Sequence, residues 1–242
     1  MEIQISVAKT NKHDSIESGD TLEFVERPNG GISVVIVDAQ TSGPLAKSIS
    51  STVVRKAINL LAEGVRDGAA ARAASDYLYT ERNGKVSAYM NIISVDLQTC
   101  TLVISRNNPT PVYIAQGDKI EHLSGESTPI GSSRNIRPAI SEISLESGIT
   151  IVTFTDGLLH AGSYYGQNFD IQTRLEAMLQ EQNPSAQSIA DTILSEAIKL
   201  DQCRPNDDMS LLVLRVLSNE SDHIRRMNIS LPVKFHKSNF NP

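Results

Sequence analysis

The 242-residue chain reads as an α+β domain, an antiparallel sheet core with helices set apart from it in pairs. Three observations carry that reading. Short apolar runs that alternate with polar residues recur along the chain, two helical stretches fall early and two fall late, and strands do not alternate regularly with helices as a parallel sheet requires. Hydrophobic residues at 40% and charged residues at 21% allow one sizeable core, with no repeat, low-complexity tract or linker to divide it.

Taken in order, Glu2 to Ala8 sets Ile3, Ile5 and Val7 against polar neighbours, the period of a half-buried strand. Thr21 to Glu26 and Ile32 to Val37 make a hairpin around Pro28-Asn29-Gly30-Gly31. Pro44 suits a first helical position behind Thr41-Ser42-Gly43, and Leu45, Ile49, Val53, Ala57 and Leu61 mark one face of the helix that follows. A second helix is expected over Ala69 to Arg82. Strands then follow at Ser87 to Val95, Thr101 to Ser105, Pro111 to Ala115, Lys119 to Leu123 and Ala139 to Ile143, with turns at Asn108-Pro109 and Gln116-Gly117-Asp118. After the strand Ile151 to Thr155, one helix is lined by Ile171, Leu175, Met178 and Leu179, and another by Ile189, Ile193, Ala197 and Ile198 behind Asn183-Pro184.

Ser210 to Leu217 closes the domain, so residues 1–217 form one unit and 218–242 a C-terminal extension. Asn219 to Arg226 is polar, whereas Ile229 to Val233 could add one more strand, at an edge because of Pro232. A docked or fraying tail and an oligomer contact both stay open for this segment, and a dimer with them.

The net charge of −6, with 22 basic against 28 acidic residues and no dense basic cluster, argues against nucleic acid or an anionic membrane as partner. No apolar leader precedes the first strand and no run approaches the roughly 18 apolar residues of a spanning helix. The expected setting is cytoplasmic, with Cys100 and Cys203 reduced.

Aspartates stand where strand-like runs begin or end: Asp20 after Ser18-Gly19, Asp38 after Ile32 to Val37, Asp156 after Ile151 to Thr155, and Asp207-Asp208 just before Ser210. In an antiparallel sheet the end of one strand lies beside the start of its neighbour, so such carboxylates can converge on one rim. Singly, each is a turn or cap residue. Together they are not explained that way, and convergent carboxylates repel unless a cation sits among them. Oxygen-only ligand sets suit Mg²⁺ or Mn²⁺ rather than zinc.

The segments Gly19-Asp20, Val37-Asp38-Ala39 with Ser42-Gly43 following, Thr155-Asp156-Gly157-Leu158 and Asp207-Asp208-Met209-Ser210-Leu211 resemble, in order and interval, the metal-dependent protein phosphatases of the 2C superfamily. Within it the chain is most similar to the bacterial SpoIIE-like branch that contains RsbU and RsbX. The resemblance covers residues 1–217 and implies a central antiparallel β-sandwich flanked by helix pairs, a four-layer αββα fold. It implies a serine/threonine protein phosphatase, a phosphoric monoester hydrolase in which a water bridging two Mn²⁺ or Mg²⁺ ions attacks phosphorus in line. Asp38 would bridge the ions, Asp156 and Asp207 would complete one coordination sphere, and Asp20 with the Ala39 carbonyl would serve the other. Asp38 and Asp156 would then act in catalysis through the metal-activated water. Asp207 and Asp208 are adjacent, and alignment with the family's Asp-Asn/Asp-x-Thr/Ser pattern favours Asp207 without excluding Asp208. The implied substrate is a phosphorylated regulatory protein of signal transduction and stress response, a STAS-domain anti-sigma antagonist or a stressosome protein.

Departures from the family pattern also carry expectations. Ala39 stands where relatives have Gly, so a positive φ there would bring strain of about 1 kcal/mol or more and weaken the second ion. That motivates the alternative of a pseudophosphatase that binds a phosphoprotein without turnover. His160 occupies a place where relatives often carry an acid, and is either a supporting group or a surface histidine. The arginine that holds substrate phosphate in eukaryotic relatives is missing, and Lys9 and Lys12 read as solvated. Asn107 to Pro111 and Ser127 to Gly131 read as structural turns, and Met90 and Tyr113 as core.

Overall fold

The computed structural model describes residues 1–117, 119–181, 183–218 and 223–232. Among the described residues ten strands form two five-stranded antiparallel sheets. In chain order they are β1 (Glu2–Thr10), β2 (Thr21–Glu26), β3 (Ile32–Ala39), β4 (Ala88–Asp96), β5 (Thr101–Asn107), β6 (Val112–Gln116), β7 (Lys119–Leu123), β8 (Ala139–Ser144), β9 (Thr150–Phe154) and β10 (Met209–Leu217). One sheet has the order β1-β10-β9-β6-β7, the other β2-β3-β4-β5-β8. The helices are α1 (Gly43–Ala62), α2 (Asp67–Arg82), a single-turn α3 (Asp156–Leu159), α4 (Ile171–Glu181) and α5 (Ala186–Leu200). The Gln116-Gly117-Asp118 turn falls partly outside the described residues.

The alternation of side chains along each strand builds three apolar layers. On β3, Val35 and Val37 face α1 and α2, packing against Ile49, Val53 and Leu78. Val34 turns the other way, into the layer between the sheets with Ile93, Ile104, Ile151, Leu212 and Leu214. On β10, Leu211 and Val213 face α5 and α4, meeting Ile189, Ile193 and Leu175. The result is the four-layer αββα sandwich that the resemblance implied.

Leu45 is a correction: it is 48% exposed, and Ala46 is buried in its place. A strict four-residue ladder drifts by about 40° per step around a helix of 3.6 residues per turn, so Leu45 and the buried Leu61 cannot share one face. Helix α3 and the 3-10 turn Ser163–Tyr165 were not anticipated, because elements of so few residues carry no readable period. In the C-terminal extension, residues 229–232 form no strand, with Ile229 and Leu231 exposed, and Val233 lies outside the described residues. The extension is tied to the sheet at Arg225, whose guanidinium reaches Glu26 at 2.6 Å and the Gly30 carbonyl at 3.1 Å. Among the described residues no helix is long and apolar enough to cross a membrane. Cys100 and Cys203 are free and exposed.

Candidate active site

The strand ends that carry the aspartates meet at one rim of the sandwich. Asp38 is the penultimate residue of β3, and strand alternation points it, like Val34, toward the space between the sheets. Asp20 immediately precedes β2, whose first residue Thr21 pairs with Val37. Asp156 opens α3 directly after β9, and Asp207 and Asp208 lead into β10, the neighbour of β9. Lys12, Ser15, Gly19, Asp38, Ala39 and Gln40, the Thr41-Ser42-Gly43 start of α1, and Asp156, Asp207 and Asp208 line a cleft of about 210 Å³.

Electrostatics show how tightly the carboxylates are gathered. Burial pushes the Asp38 carboxyl up to about 9, aided by the charges of Asp20 and Asp156, by a hydrogen bond to Asp156 and by the charge of Asp207. Asp20 is 2% exposed, and burial raises it to about 6 against opposition from the Ser210 and Thr155 hydroxyls. Of those hydroxyls only Thr155 reaches normal hydrogen-bond distance, donating to Asp20 Oδ2 at 2.9 Å. Asp207 is exposed as a residue, yet its carboxyl is raised by burial and by Asp156, while the Asp208 amide holds it down.

Asp208 has a different occupation. Its Oδ1 accepts the Lys12 amide at 2.8 Å and its Oδ2 the Gly19 amide at 2.7 Å, so both oxygens fasten the β1–β2 loop. Two glycines of the motif are required by this packing. A Cβ on Gly157 would lie 2.1 Å from the Asp208 carbonyl oxygen, and one on Gly19 would lie 2.9 Å from the Ala46 Cβ.

Ala39 has no positive φ, pairs with Ala88 and is buried against α1 and α2. The expected strain is therefore absent, and with it the motive for the pseudophosphatase alternative. The Ala39 carbonyl accepts the Thr41 amide at 2.6 Å and keeps a second lone pair. His160 is an exposed residue at the end of α3. Asn107 Nδ2 donates to the Thr128 carbonyl and Gly131 donates to Ser75 Oγ, so those turns stitch loops to the sheet and to α2.

Sequence reasoning missed the groups that hold Asp20. Lys9 and Lys47 both donate to its carbonyl, at 3.1 and 3.2 Å, and Ser50 Oγ donates to the Gly19 carbonyl. Thr155 was legible as the neighbour of Asp156, whereas Lys47 and Ser50 on α1 carry no local signal.

Among the described residues no three His, Cys, Asp or Glu side chains close on one point as a finished coordination shell. Bare carboxylates at this range repel, and burial with the neighbouring charges pushes Asp38 up. The donor set still fits hard divalent cations, being carboxylate oxygens gathered at one cleft with no His or Cys among them.

The architecture is the fold of the PP2C phosphatase domains. The phosphatase domain with a regulatory-domain fragment of SpoIIE from Bacillus subtilis matches with a TM-score of 0.77 at 21% identity, over 91% of this chain and 64% of that one. RsbX in complex with magnesium matches with a TM-score of 0.64 at 14% identity, over 88% of this chain and 94% of that one. The profile described as Stage II sporulation protein E (SpoIIE) matches residues 28–217, and the chain belongs to that family. Stage II sporulation protein E of Priestia megaterium is 23% identical over 218 residues, which are 90% of this chain but 37% of that protein. The chain thus spans little more than a third of the length of that relative.

Proposed function

We propose that the chain is a Mn²⁺- or Mg²⁺-dependent serine/threonine protein phosphatase. The observation that carries this reading is the gathering of Asp38, Asp156 and Asp207 at one cleft with Asp20 behind them, close enough that their charges and burial raise Asp38 to about 9. Asp38 would hold two ions between Asp156 and Asp207 on one side and Asp20 with the Ala39 carbonyl on the other. The magnesium of the RsbX structure supports that choice of ion. Bound there, such ions lower the pKa of water and neutralise charge on phosphoryl oxygens.

The chain's own residues set up that chemistry. To serve as a ligand Asp38 would have to release the proton that its burial and neighbouring carboxylates favour. Thr155 holds Asp20 in orientation, its Oγ1 donating to the carboxylate while accepting the Ser210 amide at 3.0 Å. A cleft of about 210 Å³ admits a phosphorylated side chain but not a folded domain, so a protein substrate must present its phosphoserine or phosphothreonine on an exposed segment. A phosphorylated STAS-domain antagonist or stressosome protein in the cytoplasm is the substrate class that the family resemblance supports.

The test is hydrolysis of a phosphorylated STAS-domain protein beside p-nitrophenyl phosphate, with Mn²⁺ or with chelator. We expect metal-dependent turnover of both, a much higher kcat/KM for the phosphoprotein, and a fall of about a thousandfold in kcat for Asp38→Asn, since a shared ligand underlies several kcal/mol of charge stabilisation. Full activity in chelator refutes the mechanism. Equal kcat/KM for the two substrates refutes the dedicated protein partner.

A further inference from the structure

We propose that Lys12 grips the phosphoryl group of the substrate and that Asp208 is the positioning residue that holds Lys12 over the cleft. The inference rests on the phosphatase reading and adds to it a recognition group. Of the residues lining the cleft, four are acidic and Lys12 is the basic one. Lys12 thus shares the cleft wall with Asp38, Asp156 and Asp207. Yet among the described residues the Lys12 ammonium makes no hydrogen bond and no ion pair within 4.0 Å. Lys9 and Lys47 differ, since both ammonium groups are spent on the Asp20 carbonyl.

The Lys12 backbone is pinned, whereas its side chain has no partner among the described residues. Its amide donates to Asp208 Oδ1 at 2.8 Å, its carbonyl accepts the Ser15 amide at 3.0 Å, and the next residue, His13, donates to the Pro205 carbonyl at 2.8 Å. The far end of the loop is held by the same carboxylate through the Gly19 amide. A fixed base with an uncommitted ammonium beside the carboxylates can meet the outer oxygens of a phosphate that reaches them. Lysine does so as a point charge with three donors and needs no bidentate geometry.

The probes are p-nitrophenyl phosphate as substrate and inorganic phosphate as competitive inhibitor, on the Mn²⁺-saturated full chain. Wild type is compared with Lys12→Ala, Lys12→Gln, Lys12→Arg and Asp208→Asn, and with Lys199→Ala on the exposed end of α5 as a control for lost charge. Removing a charged donor should raise KM and the phosphate inhibition constant together by roughly tenfold or more in Lys12→Ala and Lys12→Gln. Lys12→Arg should recover most of that loss, Asp208→Asn should share part of it, and Lys199→Ala should match wild type. The Mn²⁺ concentration for half activation should stay within about twofold in the Lys12 variants.

Unchanged KM and phosphate inhibition in folded Lys12→Ala would overturn the assignment. So would a shift confined to metal dependence, or an equal shift in Lys199→Ala. A wild-type chain that hydrolyses the probe equally well in chelator, with Asp38→Asn unimpaired, would remove the metal-phosphatase reading itself, an outcome distinct from a failure at Lys12.

Discussion

Asp38 shows most clearly what a single residue costs this fold. Its carboxyl is pushed up to about 9 by burial and by three neighbouring carboxylates, and Asp20 beside it to about 6. An aspartate raised above its ordinary value near 3.8 contributes stability fully below that value and loses it as pH rises through the folded value. In chelator the thermal midpoint should therefore fall between pH 5 and 9, and the gain on adding Mn²⁺ should be larger at pH 8.5 than at pH 6, because cations replace protons. Scanning calorimetry across that range checks this; a Mn²⁺ gain independent of pH would contradict it. Ala39 leads to the opposite of its sequence expectation. With an ordinary φ and a buried methyl, Ala39→Gly should destabilise by about 0.5 to 1 kcal/mol in urea unfolding and should not lower the Mn²⁺ requirement. Aspartates at strand ends were legible because residue type and position coincide there. That Asp208 gives both oxygens to the β1–β2 loop was not, since it depends on amides almost two hundred residues away in sequence at Lys12 and Gly19.

At the scale of elements, periodicity carried the strands and long helices, and it failed where an element is held by distant polar partners. The start of α2 is one such place. Asp67 accepts from Arg27 Nη1 at 3.3 Å and from Ser94 Oγ, Ser94 bonds Ser33 Oγ at 2.6 Å, and Arg27 Nη2 reaches the Val65 carbonyl at 2.9 Å. This buried network ties the α1–α2 turn to the end of β3 remote from Asp38, and nothing in the spacing of residues 27, 33, 67 and 94 announces it. Removing one partner leaves a buried charge without its counterion, so Asp67→Ala should cost roughly 3 to 5 kcal/mol in denaturant unfolding. Activity per folded molecule should stay near that of wild type, because the network meets β3 at Ser33, five strand residues from Asp38. A stability loss under 1 kcal/mol would contradict the network's role. Gly157 is the converse case: its place after Asp156 was legible, and the reason, the Asp208 carbonyl packed on it, was not.

For the whole molecule, the order of elements was readable but their pairing was not. The first strand lies beside the last, with Glu2 opposite Leu217, and β6 crosses to the sheet of β9 and β10. No local pattern encodes contacts at that separation; the resemblance to a known fold supplied the two packed sheets but not the strand order within them. The pairing matters for function because it brings four separate strand ends to one rim, where the aspartates meet. The central claim is that this rim holds two divalent ions. Anomalous scattering from crystals grown with Mn²⁺ tests it most directly. Two peaks about 3.5 to 4 Å apart, one on each side of Asp38 with Asp156 and Asp207 on one of them, are the predicted result. Saturating Mn²⁺ with no peak within bonding distance of Asp38 and Asp156 would contradict the account.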